Sequence, residues 1–225
     1  MRRALIRKEL IQCGVLCAVA TLAYIAFAWW YSTIGVHQRA IPFTSGASVP
    51  VFGHVAGMDP VVGNFSIIGG VLAAAMGLVQ SAWESIGGTW HFLLHRPLSR
   101  KSVLNVKLLT GCFLLLLCTV VPGLLYGVWA SLPGTHASPF EWNMTEKFWQ
   151  QWLTLPVIYF AAFQSGLSDA RWYGVRLFPL LTAAVLCIAL SCLPFWWWTG
   201  FPVLVVVVVS QVVTLFHTMR TRDFS

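Results

Sequence analysis

Six stretches of nearly unbroken apolar residues, joined by shorter polar or glycine- and proline-rich connections, set the pattern of the chain. They cover about residues 10–31, 63–83, 104–130, 148–167, 175–194 and 200–218. Each approaches the roughly 20 residues that carry a helix across a bilayer. The run Val203 to Val209 is rich in β-branched residues, yet it too is expected to be helical, because lipid offers no partner to an open backbone. Pro122-Gly123 predicts a kink or break in the third stretch. Pro156 and Pro179 are expected near the starts of the fourth and fifth, where backbone N–H groups lack intrahelical partners anyway.

Composition agrees with this pattern and removes the soluble alternatives. The chain is 58% hydrophobic and 9% charged, whereas soluble domains carry about 25% charged residues. The expected fold is all-α: a polytopic membrane protein of 225 residues with six transmembrane helices in a single domain. The apolar stretch after Arg2, Arg3, Arg7 and Lys8 is too long for a secretory signal and ends in Trp29, Trp30 and Tyr31, an interfacial belt; it reads as a retained helix.

The net charge of +7 does not point to nucleic acid, because the cations sit in short segments beside apolar runs rather than on one folded face. Their distribution instead sets orientation. Twelve of the 14 lie in one alternating set of connections: Arg2, Arg3, Arg7 and Lys8; Arg96, Arg100, Lys101 and Lys107; Arg171 and Arg176; Arg220 and Arg222. Only Arg39 and Lys147 lie in the other. The positive-inside rule then places both termini and the connection around residues 84–107 in the cytoplasm. The segment Pro194 to Gly200, with Trp196, Trp197 and Trp198, is too apolar for a solvated loop and is expected to dip back into the outer interface as a re-entrant element.

The connection from Glu84 to Lys107 has a pattern of its own. Ile86, Trp90, Leu93, Leu94 and Pro97 fall on one face of a helix, with Gly87, Gly88, His91 and His95 opposite. Such a helix would lie along the inner interface, end at Pro97, and be followed by a second helix capped by Ser99. Helix, sharp turn and helix make a rigid element able to transmit a push.

These residues carry a resemblance. Glu84, Gly88-Thr89, Leu93-Leu94, Pro97-Leu98-Ser99-Arg100 and Lys107 resemble the stretch between the second and third helices of the type-2 ABC exporter permease family. Ala4 to Leu10, with Arg7, Lys8 and Glu9, is similar to that family's amphipathic elbow helix, so residues 1–9, including Arg3, are expected to form an elbow. The resemblance implies a half-transporter that pairs with a second copy or a sister permease. It implies that residues 84–98 are a coupling helix docking on a separate cytoplasmic ATPase through Glu84, Gly88, Thr89, Leu93, Leu94, Pro97, Ser99 and Arg100. It also implies the bacterial inner membrane. The chain has no phosphate-binding Gly-x-x-x-x-Gly-Lys-Ser/Thr loop, so ATP hydrolysis would fall to the partner.

No catalytic residue is assigned: paired intramembrane aspartates, a Ser/His couple and a His-Glu-x-x-His motif are all missing. No cofactor or metal is expected. His91 and His95 have ligand spacing but read as interfacial residues, and the six cysteines read as small apolar side chains. Gln80, Gln164, Ser165 and Gln211 are expected to face other helices and bond between them. No crossing is expected to carry a charge in its middle, which disfavours a channel or an ion-coupled carrier. The alternative within reach is a membrane component that recruits an ATPase without moving a solute. The sparsely charged interior suits an apolar or amphipathic substrate.

Overall fold

The computed structural model describes residues 2–38, 60–86, 100–132, 142–168, 172–193 and 195–221. Its elements are α1 (Arg2–Gln38), α2 (Pro60–Ile86), α3 (Arg100–Ser131), a 3₁₀ turn (Trp142–Thr145), α4 (Glu146–Leu167), α5 (Tyr173–Ser191) and α6 (Trp196–Thr221). The described residues are all-α, and five of the six helices (all but α4) are long and apolar enough to cross a membrane.

Helix pairing follows from a few close contacts. Ser66 hydrogen-bonds Gln151, Gly69 faces Leu155, and Gly166 faces Ser81, so α2 and α4 run side by side in the same direction. Gln12 Nε2 donates to the Val79 carbonyl at 3.3 Å and Tyr24 Oη to the Phe65 carbonyl at 3.1 Å, which makes α1 antiparallel to α2. Trp152 Nε1 donates to Thr119 Oγ1 at 3.0 Å, and Gly123 faces Phe148, which makes α3 antiparallel to α4. Trp197 Nε1 reaches Glu146 Oε1 at 2.7 Å, placing the start of α6 beside the start of α4. This alternation gathers Arg7, Lys8, Lys101, Lys107, Arg176 and Arg220 at one end of the bundle and leaves Lys147 at the other. The segregation read from the sequence is thus reproduced by packing.

α4 is the central helix: 13 of its 22 residues are buried, against five of 26 in α6. Its buried face includes Gln150, Thr154, Tyr159 and Ser165. Those polar groups lower its hydropathy, which is why it falls outside the group of strongly apolar helices.

Several expectations need correction. Residues 2–9, expected as a separate elbow, continue into α1 as one helix of 37 residues, about 55 Å long at 1.5 Å per residue. No residue in this stretch breaks the helix, and the inward-facing stripe Leu5, Glu9, Cys13, Cys17 and Tyr24 runs through the expected boundary. Pro122 does not break α3. Pro156 lies in the middle of α4 rather than near its start, because that helix begins at Glu146, and Pro179 also lies inside its helix. Prolines are tolerated where neighbouring helices brace the freed carbonyls. Residues 196–200, expected in a re-entrant segment, form the first turns of α6, entered through Phe195 at φ 52°. The Phe195 carbonyl there accepts the Trp198 and Thr199 N–H groups at 2.9 and 3.1 Å.

Candidate functional site

At the cationic end, four helices meet around one buried ion pair. Lys107 Nζ of α3 lies 2.7 Å from Glu9 Oε1 of α1, and both side chains are 0% exposed. Gln80 Nε2 of α2 donates to Glu9 Oε2 at 2.9 Å. Tyr159 Oη of α4 donates to Gln80 Oε1 at 2.5 Å and lies 3.4 Å from the Lys107 carbonyl. Each carboxylate oxygen therefore has its own donor, and each helix contributes one member.

Local sequence explains how these groups come together. Glu9 shares the buried stripe of α1 with Cys13, Cys17, Ala20 and Tyr24, at spacings of three and four residues. Lys107 occupies the matching stripe of α3 with Leu104, Gly111, Leu115 and Thr119. Glycines then admit the tyrosine. A Cβ on Gly111 would overlap Tyr159 Oη and Gln80 Oε1. One on Gly77 would meet the Tyr159 carbonyl at 2.5 Å and Ala162 Cβ at 2.7 Å. α4 can thus lie against α2 and still send its hydroxyl to α2 and α3.

Charges of opposite sign inside an apolar bundle cancel at long range and attract strongly at short range. Desolvating both is costly, and the geometry repays it only when the remaining lone pairs and protons are satisfied. Gln80 and Tyr159 supply that satisfaction. The four side chains together tie α1 to α2, α3 and α4. Among the described residues, no group of three or more His, Cys, Asp or Glu could hold a metal ion.

The expected site residues divide. Glu84 lies in the last turn of α2 and Arg100 opens α3, so the backbone places both at the cationic end. Gly88, Thr89, Leu93, Leu94, Pro97 and Ser99 lie outside the described residues. Arg3 is in the first turn of α1; Arg7 and Lys8 are exposed, while Glu9, grouped with them by sequence, points inward. The expectation concerned the middles of the crossings; Glu9 and Lys107, placed just outside the first span and at the start of the third, are nevertheless wholly buried. The signal was present in the four-residue step from Glu9 to Cys13, which puts Glu9 on the apolar side of α1. Nothing local pointed to Tyr159 as its indirect partner.

Of the polar residues picked out within the spans, Gln80 is in the network, and Gln164 is half-buried on α4. Ser165 Oγ and Gln211 Oε1 are buried atoms without a hydrogen-bond partner among the described residues, as are Gln150 Oε1 and Trp196 Nε1. Comparison with protein-family models, curated proteins and solved structures returns no match.

Proposed function

We propose that this chain is the membrane-spanning permease subunit of an ATP-driven ABC exporter, transmitting the motion of a separate cytoplasmic ATPase into a six-helix half-transporter. One observation carries the reading. Glu9 binds Gln80 through one oxygen and Lys107 through the other, and these two residues stand at the two roots of the 84–107 connection. A force applied to that connection therefore reaches α1 directly and α4 through Tyr159, instead of being lost in independent helix motions.

In this reading α4 crosses the membrane as well, bringing the number of crossings to six, and is screened from lipid by its neighbours. The cationic end faces the cytoplasm of a bacterial inner membrane, with both termini there. Residues 84–98 dock on the ATPase, with Glu84 opening that element and Arg100 following it, and a second copy or sister permease completes the path for an apolar or amphipathic substrate.

The test is co-purification of the tagged chain in mild detergent from its native membrane, beside the double variant Glu84→Ala, Pro97→Ala. An ATPase subunit recovered with the wild type and lost with the variant supports the proposal. Absence of any ATPase from both preparations overturns it. If the ATPase is recovered, reconstituted vesicles supplied with ATP should accumulate an amphipathic probe; binding without accumulation would leave an ATPase-recruiting module as the better reading.

A further inference from the structure

Away from the ion pair, α1 and α3 frame a groove of about 550 Å³. Its walls are Tyr24, Ile25 and Ala28 of α1 and Val121, Pro122 and Leu125 of α3. Phe65 of α2 closes the floor, wedged between Tyr24 at 5.0 Å and Tyr126 at 6.1 Å between ring centroids. The lining extends from Thr21 to Trp29 on α1 and from Leu117 to Trp129 on α3, roughly 12 to 18 Å at the helical rise. That is close to half of a ~30 Å hydrocarbon core, the thickness of one leaflet.

Groove chemistry is as specific as its length. Of the three hydroxyls among its lining residues, Thr21, Tyr24 and Tyr126, two are committed to backbone: Tyr24 Oη donates to the Phe65 carbonyl at 3.1 Å, and Thr21 Oγ1 to the Cys17 carbonyl at 2.8 Å. A polar or charged ligand would have to give up its water for walls that return little. Trp29 and Trp129 stand together at the end remote from the cations, the position indole rings take at a headgroup boundary. Ile25 and Leu125, 60% and 65% exposed, open the mouth toward the surrounding apolar phase.

We infer that this groove seats one hydrocarbon chain of a membrane phospholipid from the leaflet opposite the cationic end, with its headgroup beside Trp29 and Trp129. A concave, aromatic-floored site holds a chain on several sides, which the convex lipid-facing surfaces of α5 cannot do. The inference goes beyond the transport reading and holds whether or not an ATPase docks.

The experiment uses the full chain in phosphatidylcholine nanodiscs doped with a phosphatidylcholine carrying a diazirine midway along one acyl chain. After irradiation, adducts are mapped by peptide mass spectrometry. Adducts on Ile25, Val121 and Leu125 are expected to exceed several-fold those on Val185 and Ile188, which are 66% and 67% exposed on α5. Ala28→Phe, which fills the groove from a lipid-facing position, should bring Leu125 down to the Ile188 level while the protein keeps its helicity and elution volume. Equal labelling of both regions in the wild type, or labelling of Leu125 unmoved by a second groove-filling variant, Val121→Trp, overturns the inference. So does groove labelling below the α5 level together with a chemically cross-linked dimer, because a second copy would then be the occupant.

Discussion

Replacing Lys107 by methionine keeps the length of the side chain and removes its charge. Glu9 then remains in a site where neither residue has any exposure, held by Gln80 alone. Breaking a buried pair by removing one partner costs about 3–5 kcal/mol, because the surviving charge is left uncompensated. For a chain of this size about 1 kcal/mol shifts the melting temperature by roughly 2–4 °C, so the expected drop is roughly 6–20 °C. Glu9→Gln alone should also be destabilising, since it leaves the Lys107 ammonium without an anion. The double variant Glu9→Gln, Lys107→Met is the decisive one: the new amide oxygen still accepts from Gln80, no charge is stranded, and stability should return to within about 1–2 kcal/mol of wild type. The assay is thermal unfolding in detergent, followed by a thiol-reactive dye that reports release of the buried Cys13, Cys17 and Cys187. Additive losses in the double variant, or single variants that melt with the wild type, would refute the pair as the brace of the bundle.

Tyr159→Phe removes the hydroxyl that satisfies Gln80 Oε1; we expect a loss of about 1–3 kcal/mol in the same assay, below that of Lys107→Met. Gly111→Ala should cost about 1–3 kcal/mol because its Cβ overlaps Tyr159 and Gln80. Gly14→Ala, with nothing within 4 Å of its Cβ, should be neutral or stabilise the helix by up to about 1 kcal/mol. Cys192 is exposed and lies at the end remote from the cations, so a membrane-impermeant maleimide added outside intact spheroplasts should label it and leave Cys13 and Cys17 unmodified; labelling of Cys192 only after lysis would reverse the proposed orientation.

The membrane class and the segregation of cations were legible because both follow from long apolar runs and from residue counts, which need no knowledge of contacts. Interior polarity was harder to read. Glu9 stands among Arg7, Lys8 and a free-looking helix start, so composition groups it with solvent, while its four-residue step to Cys13 groups it with the core. The second pattern prevailed because Lys107, 98 positions away, reaches it across the bundle. Pro156 sits deeper in its helix than the apolar pattern suggests for a related reason: Glu146 and Lys147 look like loop residues, yet Trp197 and Gln150 both donate to Glu146, drawing it into the first turn of α4. The tryptophan run before Gly200 resembles an interfacial hairpin by composition, but Trp196 is 2% exposed and packs under Trp197, so its burial extends the helix.

The distance along the chain between the members of the ion pair also bears on how the protein is made. Synthesis at about 5–20 residues per second delivers Gln80 to the growing chain several seconds after Glu9, and Lys107 later still. During that interval α1 already holds its carboxylate without the ammonium that will neutralise it. Tyr159 comes last and closes the set. A chain that stops short of its third helix therefore has Glu9 without its cation, and the burial of that carboxylate depends on a residue 98 positions further on.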